Sequence, residues 1–148
     1  MTYSISQVAK KFNLTIHTIR YYEKEGVLPF IKRTKSGIRE FDQKSLDALN
    51  MIECLKKTGM SLKDIKVFQD WCEEGDSSIE KRKEMFEERK EDILGQISEL
   101  QHVLKLIEFK CWYYGKASEL GSEKAVMELE KDKIPEEIKK LYQESHDY

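Results

Sequence analysis

The stretch TIHTIRYYEKEGVLP, residues 15–29, decides how the N-terminal half of this chain is interpreted. Read as a helix, it places four polar side chains three, four and seven residues apart, and therefore on one face. These are His17, Arg20, Tyr21 and Lys24. An exposed face with positive charge and several hydrogen-bond donors suits double-stranded DNA, whose surface is acidic and rich in acceptors. The alternative is an ordinary amphipathic helix with a solvated basic edge.

A shorter helix is predicted just before this stretch. Ser4 followed by Gln7 is a capping-box start. Thr15 then caps the second helix, which Gly26 closes and Pro29 prevents from continuing. Two short helices across a tight turn are typical of a helix-turn-helix, in which the second helix reads the major groove. Other helical hairpins share this pattern, so the neighbouring segments must decide between the two interpretations.

A basic hairpin follows in the segment PFIKRTKSGIREFD, residues 29–42. Ile31 and the run from Ile38 to Phe41 have strand character, and a Lys-Ser-Gly turn lies between them. Four cations decorate the hairpin: Lys32, Arg33, Lys35 and Arg39. A small basic hairpin beside a helix-turn-helix is typical of a wing that grips DNA phosphates. The alternative is a solvated loop.

Two further helices complete the predicted head of the molecule. Asp42 caps a helix that runs through about Lys57, and Ser61 opens the next one, which Gly75 ends. Apolar residues at helical spacing line one side of both helices. We therefore expect residues 1–75 to form a winged helix-turn-helix DNA-binding domain.

From residue 77 the pattern changes to a heptad repeat. Ser77 with Glu80 is a capping-box start, and the helix is expected to continue through Gly95. One helix cannot bury an apolar seam by itself, so residues 77–115 are expected to form a coiled coil with a second copy of the chain. Packing against the chain's own tail is the alternative. The predicted dimerisation seam consists of Ile93, Ile97, Leu100, Leu104, Ile107, Cys111 and Tyr114.

Residues 116–148 are expected to form a short helical tail. Ser122 caps one brief helix and Pro135 starts another. About thirty residues are too few for an independent ligand-binding domain. We therefore expect the tail to pack on the coiled coil or on the partner's head. The predicted fold class is mainly α, with a winged head, a long dimerising helix and short C-terminal helices.

The composition excludes several classes of protein. Charged residues make up 36% of the 148 residues, which argues against one large core. No apolar run resembles a signal segment or reaches membrane length, so we expect a cytoplasmic protein with no membrane partner. Three widely spaced cysteines without a CxxC pair favour reduced thiols. Residues 1–58 hold eleven Lys and Arg against six Asp and Glu, and this positive balance directs the head toward polyanions.

Together these segments resemble the MerR family of bacterial transcription regulators. The resemblance covers residues 1 to about 115 and rests on TIRYYEKEGVLP, on GIREF and on the turn in LKKTGMSLKDI. Family motifs often have Tyr where Ile38 and Phe41 stand here. These substitutions remove hydroxyl contacts but leave the wing intact.

The resemblance implies a mechanism as well as a fold. Members of the family bind an inverted-repeat operator as homodimers joined by an antiparallel coiled coil. The operator lies between promoter elements whose spacing is too long for RNA polymerase. Kinking and untwisting the promoter DNA realigns those elements, so the switch is a use of DNA deformability.

The resemblance also assigns the DNA contacts. Arg20 has the strongest claim to a base edge. The contacts implied on the second helix are His17, Thr18, Arg20, Tyr21 and Lys24. Those implied on the wing are Arg33, Lys35 and Arg39.

The effector is less well marked in the sequence. Scattered Cys and His residues give no metal-ligand set, and no cofactor is expected. The segment IECLKKTGMSL resembles the branch of the family that answers reactive aldehydes and thiol stress through one cysteine, here Cys54. Cys54 lies in the C-terminal half of its helix near Asp47, and both features disfavour a thiolate. The alternative for Cys54 is a small, half-buried apolar residue, and Cys72 and Cys111 are expected to be structural.

Two other classes of function compete with a regulator. A thiol enzyme would need Cys54 beside a histidine base, but His17 lies on the reading face, His102 on the outside of the coiled coil and His146 near the chain end. A coiled-coil adaptor would have no use for the basic wing. We therefore expect no enzyme activity.

Overall fold

The computed structural model describes residues 1–28 and 30–147 of the chain. The expectation that Pro29 stops the second helix lies outside the described residues. The chain divides into two compact units, Met1–Arg89 and Lys90–Tyr148. Most residues are helical, which confirms the mainly α fold class. Within the described residues, no helix is both long enough and apolar enough to cross a bilayer.

The first unit contains the helix-turn-helix and the wing. Its helices are α1 (Ile5–Phe12), α2 (Ile16–Lys24), α3 (Gln43–Lys57) and α4 (Leu62–Glu74). Two short antiparallel strands, β1 (Lys32–Arg33) and β2 (Arg39–Glu40), form the wing hairpin between α2 and α3. The turn between the strands contains Gly37 at φ +81°, as the sequence pattern predicts.

Side-chain caps start the helices where the sequence predicts them. Ser4 and Gln7 form the reciprocal capping box at the start of α1. Thr15, Asp42 and Ser61 each accept a hydrogen bond from a backbone N–H in the first turn of the following helix. The residues around each of these helix starts are therefore enough to predict where the helix begins.

The start of the long helix differs from the prediction. Residues Gly75–Ser78 form a 3₁₀ turn that leads directly into α5 (Ile79–Leu120), so the helix does not begin at a Ser77 cap. The buried hydroxyl of Ser78, the next residue, donates to the carbonyls of Trp71 and Gly75. Arg82 also donates to the Gly75 carbonyl, at 2.9 Å. These bonds satisfy carbonyls that the end of α4 leaves open.

A second arginine secures the end of α3. Arg89 donates to the carbonyl of Thr58, with 3.1 Å between its Nε and the oxygen. Gly59, the next residue, has φ +84°, and a Cβ atom there would collide with the Arg89 guanidinium. A cation at a helix C-terminus also interacts favourably with the helix dipole. The first turns of α5 are thus held against the α3–α4 turn.

One apolar core holds the first unit together. Side chains from all four helices, from the loop after α2 and from Phe41 after the wing contribute to it. The most fully buried are Val8, Ile19, Tyr22, Val27, Leu28, Phe41, Leu49, Ile52 and Ile65. Phe41 also pairs with Tyr3 through two backbone hydrogen bonds, which ties the wing to the N-terminus. Helix α2 is therefore held by the core through its buried residues Ile19 and Tyr22.

The second unit contains the rest of α5 and the tail. Helix α5 continues through Gly95, as predicted, and extends five residues past the predicted end at 115. It stops before Gly121, which has φ +88°. Gly115 lies inside this helix. An interior glycine costs about 1 kcal/mol of helix stability relative to alanine, and a helix of this length tolerates that cost. The tail adds α6 (Glu123–Met127), a 3₁₀ turn (Lys131–Lys133) and α7 (Glu136–His146).

Candidate nucleic-acid interface

The reading face predicted on α2 is exposed as a continuous row. His17, Arg20, Tyr21 and Lys24 are all exposed, and Tyr21 has 46% of its surface accessible. Ile19 and Tyr22 lie on the opposite side of the helix and are buried. Thr18 is half-buried, and its hydroxyl is bonded to that of Thr15 at 2.8 Å. The helix therefore offers cations and donors to one side while its apolar side is fixed in the core.

A polar network locks α2 against α3. The hydroxyl of the buried Tyr22 donates to Glu53 at 2.8 Å, and the Lys56 ammonium donates to the same hydroxyl at 2.5 Å. Burial raises the pKa of Tyr22 above its usual value. The hydrogen bond to Tyr22 raises the pKa of Lys56. The sequence reasoning missed this network, because the partners of Tyr22 lie on α3, thirty-one and thirty-four residues further along the chain.

The two wing arginines share one carboxylate from the reading helix. Arg33 and Arg39 lie opposite each other across the hairpin. Glu23 of α2 accepts a hydrogen bond from Arg33 Nη2 at 3.2 Å and from Arg39 Nε at 2.5 Å. Two neighbouring guanidiniums would repel each other without this anion. Glu23 therefore sets the position of the wing relative to α2, and sequence reasoning gave it no role.

The predicted wing contacts differ in how accessible they are. Lys35 is exposed at the hairpin turn. The Arg33 side chain is 47% exposed despite its bond to Glu23, whereas the Arg39 side chain is only 24% exposed. The Lys32 ammonium lies 3.6 Å from the carboxylate of Asp42, and Asp42 is the residue that caps α3. On this geometry Lys35 and the exposed part of the Arg33 guanidinium can meet an external anion, although Arg33 is also bonded to Glu23 and to the Gly37 carbonyl. Arg39 serves mainly to hold the hairpin.

Comparisons with known proteins agree with this geometry. The model of the MerR HTH regulatory protein family matches residues 3–71, and the MerR DNA-binding model matches residues 46–108. An HTH-type transcriptional regulator of Haemophilus influenzae is 45% identical over 126 residues, which are 85% of this chain and 93% of the relative. This chain belongs to the MerR family. The resemblance seen in the sequence is therefore confirmed.

Other MerR relatives include a regulator solved with DNA. The structure of HiNmlR, a MerR family regulator that lacks the sensor domain and is bound to promoter DNA, matches with a TM-score of 0.67 and 45% identity. The match covers 84% of this chain and 99% of that one. AdhR of Bacillus subtilis is 35% identical over 91 residues, which are 62% of this chain and 65% of AdhR. The named relatives are transcription regulators rather than enzymes.

The predicted dimerisation seam of this MerR chain is exposed along α5. Leu104 and Ile107 each have 52% of their surface accessible, and Leu100 has 68%. Ile93, Ile97, Cys111 and Tyr114 are exposed as well. Exposed apolar residues in a row of this length usually mark an interface.

The cysteines of this MerR chain lie in three different settings. Cys54 is exposed on α3, further from the core than the half-buried alternative assumes. Cys111 is exposed on the seam face of α5. Cys72 is half-buried and lines a small cavity together with Met51 and Gln69. Among residues 1–28 and 30–147, no three His, Cys, Asp or Glu side chains are grouped so that they could hold a metal ion.

Proposed function

We propose that this MerR-family regulator binds promoter DNA as a homodimer and changes its shape to control RNA polymerase. The observation that supports DNA binding best is the exposed row of His17, Arg20, Tyr21 and Lys24 beside a basic wing. A helix of this kind fits the major groove, and the wing cations reach the flanking phosphates. The promoter complex of the HiNmlR relative supports the same assignment.

Arg20 is the residue that we assign to a base edge. Its guanidinium is exposed in the middle of α2, and arginine can donate two parallel hydrogen bonds to guanine. Thr18, Tyr21 and Lys24 would position the helix through hydroxyl and charge contacts with the backbone. Arg33 and Lys35 would bind phosphates from the wing.

Dimerisation through the seams of two chains brings two DNA-binding heads into one molecule. A symmetric dimer presents two copies of α2, which matches an inverted-repeat operator. Burial of a leucine or isoleucine contributes about 1.5–3 kcal/mol, and association of two chains costs roughly 4–15 kcal/mol. Two copies of the five Leu and Ile residues of the seam are enough to exceed that cost. Bending and untwisting of the DNA between the half-sites would then realign the promoter elements, and the bound protein would supply the deformation energy.

Cys54 is the residue that we assign to electrophile sensing. Its exposure supports access by a small aldehyde. An electrophile bonded to Cys54 would add bulk to α3, which the Tyr22 network ties to the reading helix. A modification at Cys54 would therefore change the position of α2 through this network.

The DNA proposal is tested with Arg20→Ala and a matched charge-loss control, Lys63→Ala, which alters an exposed residue of α4. Operator and scrambled duplexes are titrated over a salt series. We expect Arg20→Ala to lose roughly 5- to 150-fold in operator affinity and most of its preference for the operator, since a bidentate base contact is worth about 1–3 kcal/mol. Lys63→Ala should keep that preference. If both variants preferred the operator over the scrambled duplex equally, Arg20 would not contact a base edge.

A further inference from the structure

Helix α5 carries a second apolar face, away from the seam. In the heptad frame of the seam, Phe109, Trp112 and Tyr113 occupy outer positions. Outer positions of a coiled coil normally carry solvated polar side chains. Here all three aromatic residues are half-buried instead. Something other than a coiled-coil partner therefore covers this part of the helix.

The tail provides that cover. The ring of Tyr142 in α7 lies 5.0 Å from the ring of Phe109, measured between centroids. Lys105 of α5 binds Glu144 of α7 at 2.9 Å, and this ion pair lowers the pKa of Glu144. Val126 of α6 is buried. The tail is thus folded onto the outer face of α5 and leaves the seam open.

The tail and α5 leave an open groove between them. A cavity of about 680 Å³ lies between α5 and the tail. Its walls are mainly aromatic and aliphatic, and they include Phe109, Trp112, Leu129 and Tyr142. Protein interiors are close-packed, and cavities of roughly 300–1,000 Å³ are typical of small-molecule sites. The volume and the apolar lining of this groove therefore suit a small molecule.

The charged groups indicate what kind of ligand would bind. Of the described residues that line the cavity, the charged ones are Lys131 and Lys139. Lys139 is engaged by Glu136 at 2.7 Å, so Lys131 is the better candidate for an external anion. Burial and the nearby Glu123 raise the pKa of Tyr113, which therefore stays neutral at physiological pH.

We propose that this cavity binds a small, flat apolar molecule with one carboxylate. The aromatic walls would stack on the apolar body, and Lys131 would pair with the carboxylate at the rim. Every described residue that lines the cavity lies beyond residue 108, where the MerR DNA-binding model ends. The proposal goes beyond the DNA-binding function, and it is tested without DNA.

The test uses the full chain and three probes of equal size. Naphthalene-2-carboxylate, its neutral primary amide and the matching aminomethyl cation are titrated separately by calorimetry. We expect the carboxylate to bind with a Kd of about 100 μM or tighter, which is ordinary for a ligand of this size. The amide should bind about tenfold more weakly because it lacks the ion pair. The cation should bind more weakly still.

Three variants locate the site. Lys131→Gln should weaken carboxylate binding about tenfold and leave amide binding unchanged. Lys133→Gln is the matched control, because Lys133 lies on the same 3₁₀ turn but does not line the cavity. Leu129→Trp should fill the cavity and abolish binding of all probes, with helix content by circular dichroism equal to that of the parent.

Each outcome decides the proposal. Equal binding of carboxylate and amide, or equal effects of Lys131→Gln and Lys133→Gln, would overturn the assignment of the anion. Retained binding in a folded Leu129→Trp variant would place the probe elsewhere, for example on the exposed seam, and would overturn the site. Failure of all three probes to bind the parent chain would also overturn it. None of these results depends on whether the head binds DNA.

Discussion

Replacing Glu23 by glutamine should detach the wing from the reading helix. Glu23 accepts hydrogen bonds from Arg33 and Arg39, and the shorter one, 2.5 Å to Arg39, is largely shielded from solvent. Glutamine keeps the shape but removes the charge. A charge-assisted hydrogen bond is worth about 1 kcal/mol more than a neutral one. The Arg33 pair is about half exposed and adds roughly 0–1 kcal/mol.

The loss in wing anchoring is therefore about 1–2 kcal/mol. If the wing must be in place for operator binding, this loss corresponds to a roughly 5- to 30-fold weaker operator complex. Glu25→Gln is the matched control, since it removes the same charge from an exposed residue next to α2 that accepts no wing arginine in the described structure. Both variants bring one negative charge less to the DNA, so the control isolates the anchoring effect.

The assay is fluorescence anisotropy with a labelled operator, selected from random duplexes by the parent protein, and with a scrambled duplex. On scrambled DNA both variants should bind slightly more tightly than the parent, because repulsion from phosphates is reduced. On the operator, Glu23→Gln should fall clearly below Glu25→Gln. Equal operator affinities for the two variants would refute the view that Glu23 holds the wing in its binding position.

Three further predictions concern the seam, the core network and the sensor. Leu104→Glu should shift sedimentation from dimer to monomer at micromolar concentration, because it places a charge in the apolar seam, whereas Ser98→Glu on the outer face should not. Tyr22→Phe should lower the free energy of unfolding by about 1 kcal/mol at pH 7. Since the pKa of Tyr22 is raised on folding, this contribution is complete below pH 10 and is lost as the pH rises through the raised value, so urea titrations of parent and variant should converge at alkaline pH. Cys54→Ser should abolish the response of a reporter promoter to added aldehydes, and Cys111→Ser should preserve it; a normal response in Cys54→Ser would remove Cys54 as the sensor.

Sequence reasoning predicted the parts of this fold that depend on local rules. The caps at Ser4, Thr15, Asp42 and Ser61 need only residues within one helical turn, so they can be read without a structure. The long helix follows from a repeat that Gly95 does not interrupt. The start of α5 was predicted wrongly, because Ser77 and Glu80 satisfy the local capping pattern while Ser78 makes the bonds that the tertiary structure requires.

In the candidate site, the structure confirms the exposure of the α2 row, while the DNA contacts assigned to it stay a prediction. The exposed row on α2 follows from helical spacing alone. Glu23 was missed because its partners come from the wing, ten and sixteen residues away in the sequence. Glu53 and Lys56 were missed because they meet Tyr22 across two helices, thirty-one and thirty-four residues away. Such pairings depend on how elements pack, which spacing within one element does not report.

The contact between Gly59 and Arg89 restricts how this chain can change. Gly59 is constrained twice, by its left-handed backbone and by the guanidinium that occupies the place of a side chain. Gly75 has a similar φ but open space around it, so asparagine can substitute there at modest cost. At position 59 a larger residue would strain the backbone and would also push the end of the Arg89 side chain away from the Thr58 carbonyl to which it bonds. A substitution at position 59 therefore costs backbone strain and the Arg89 bond together, whereas one at position 75 costs strain alone, and we expect glycine to be retained more strictly at position 59.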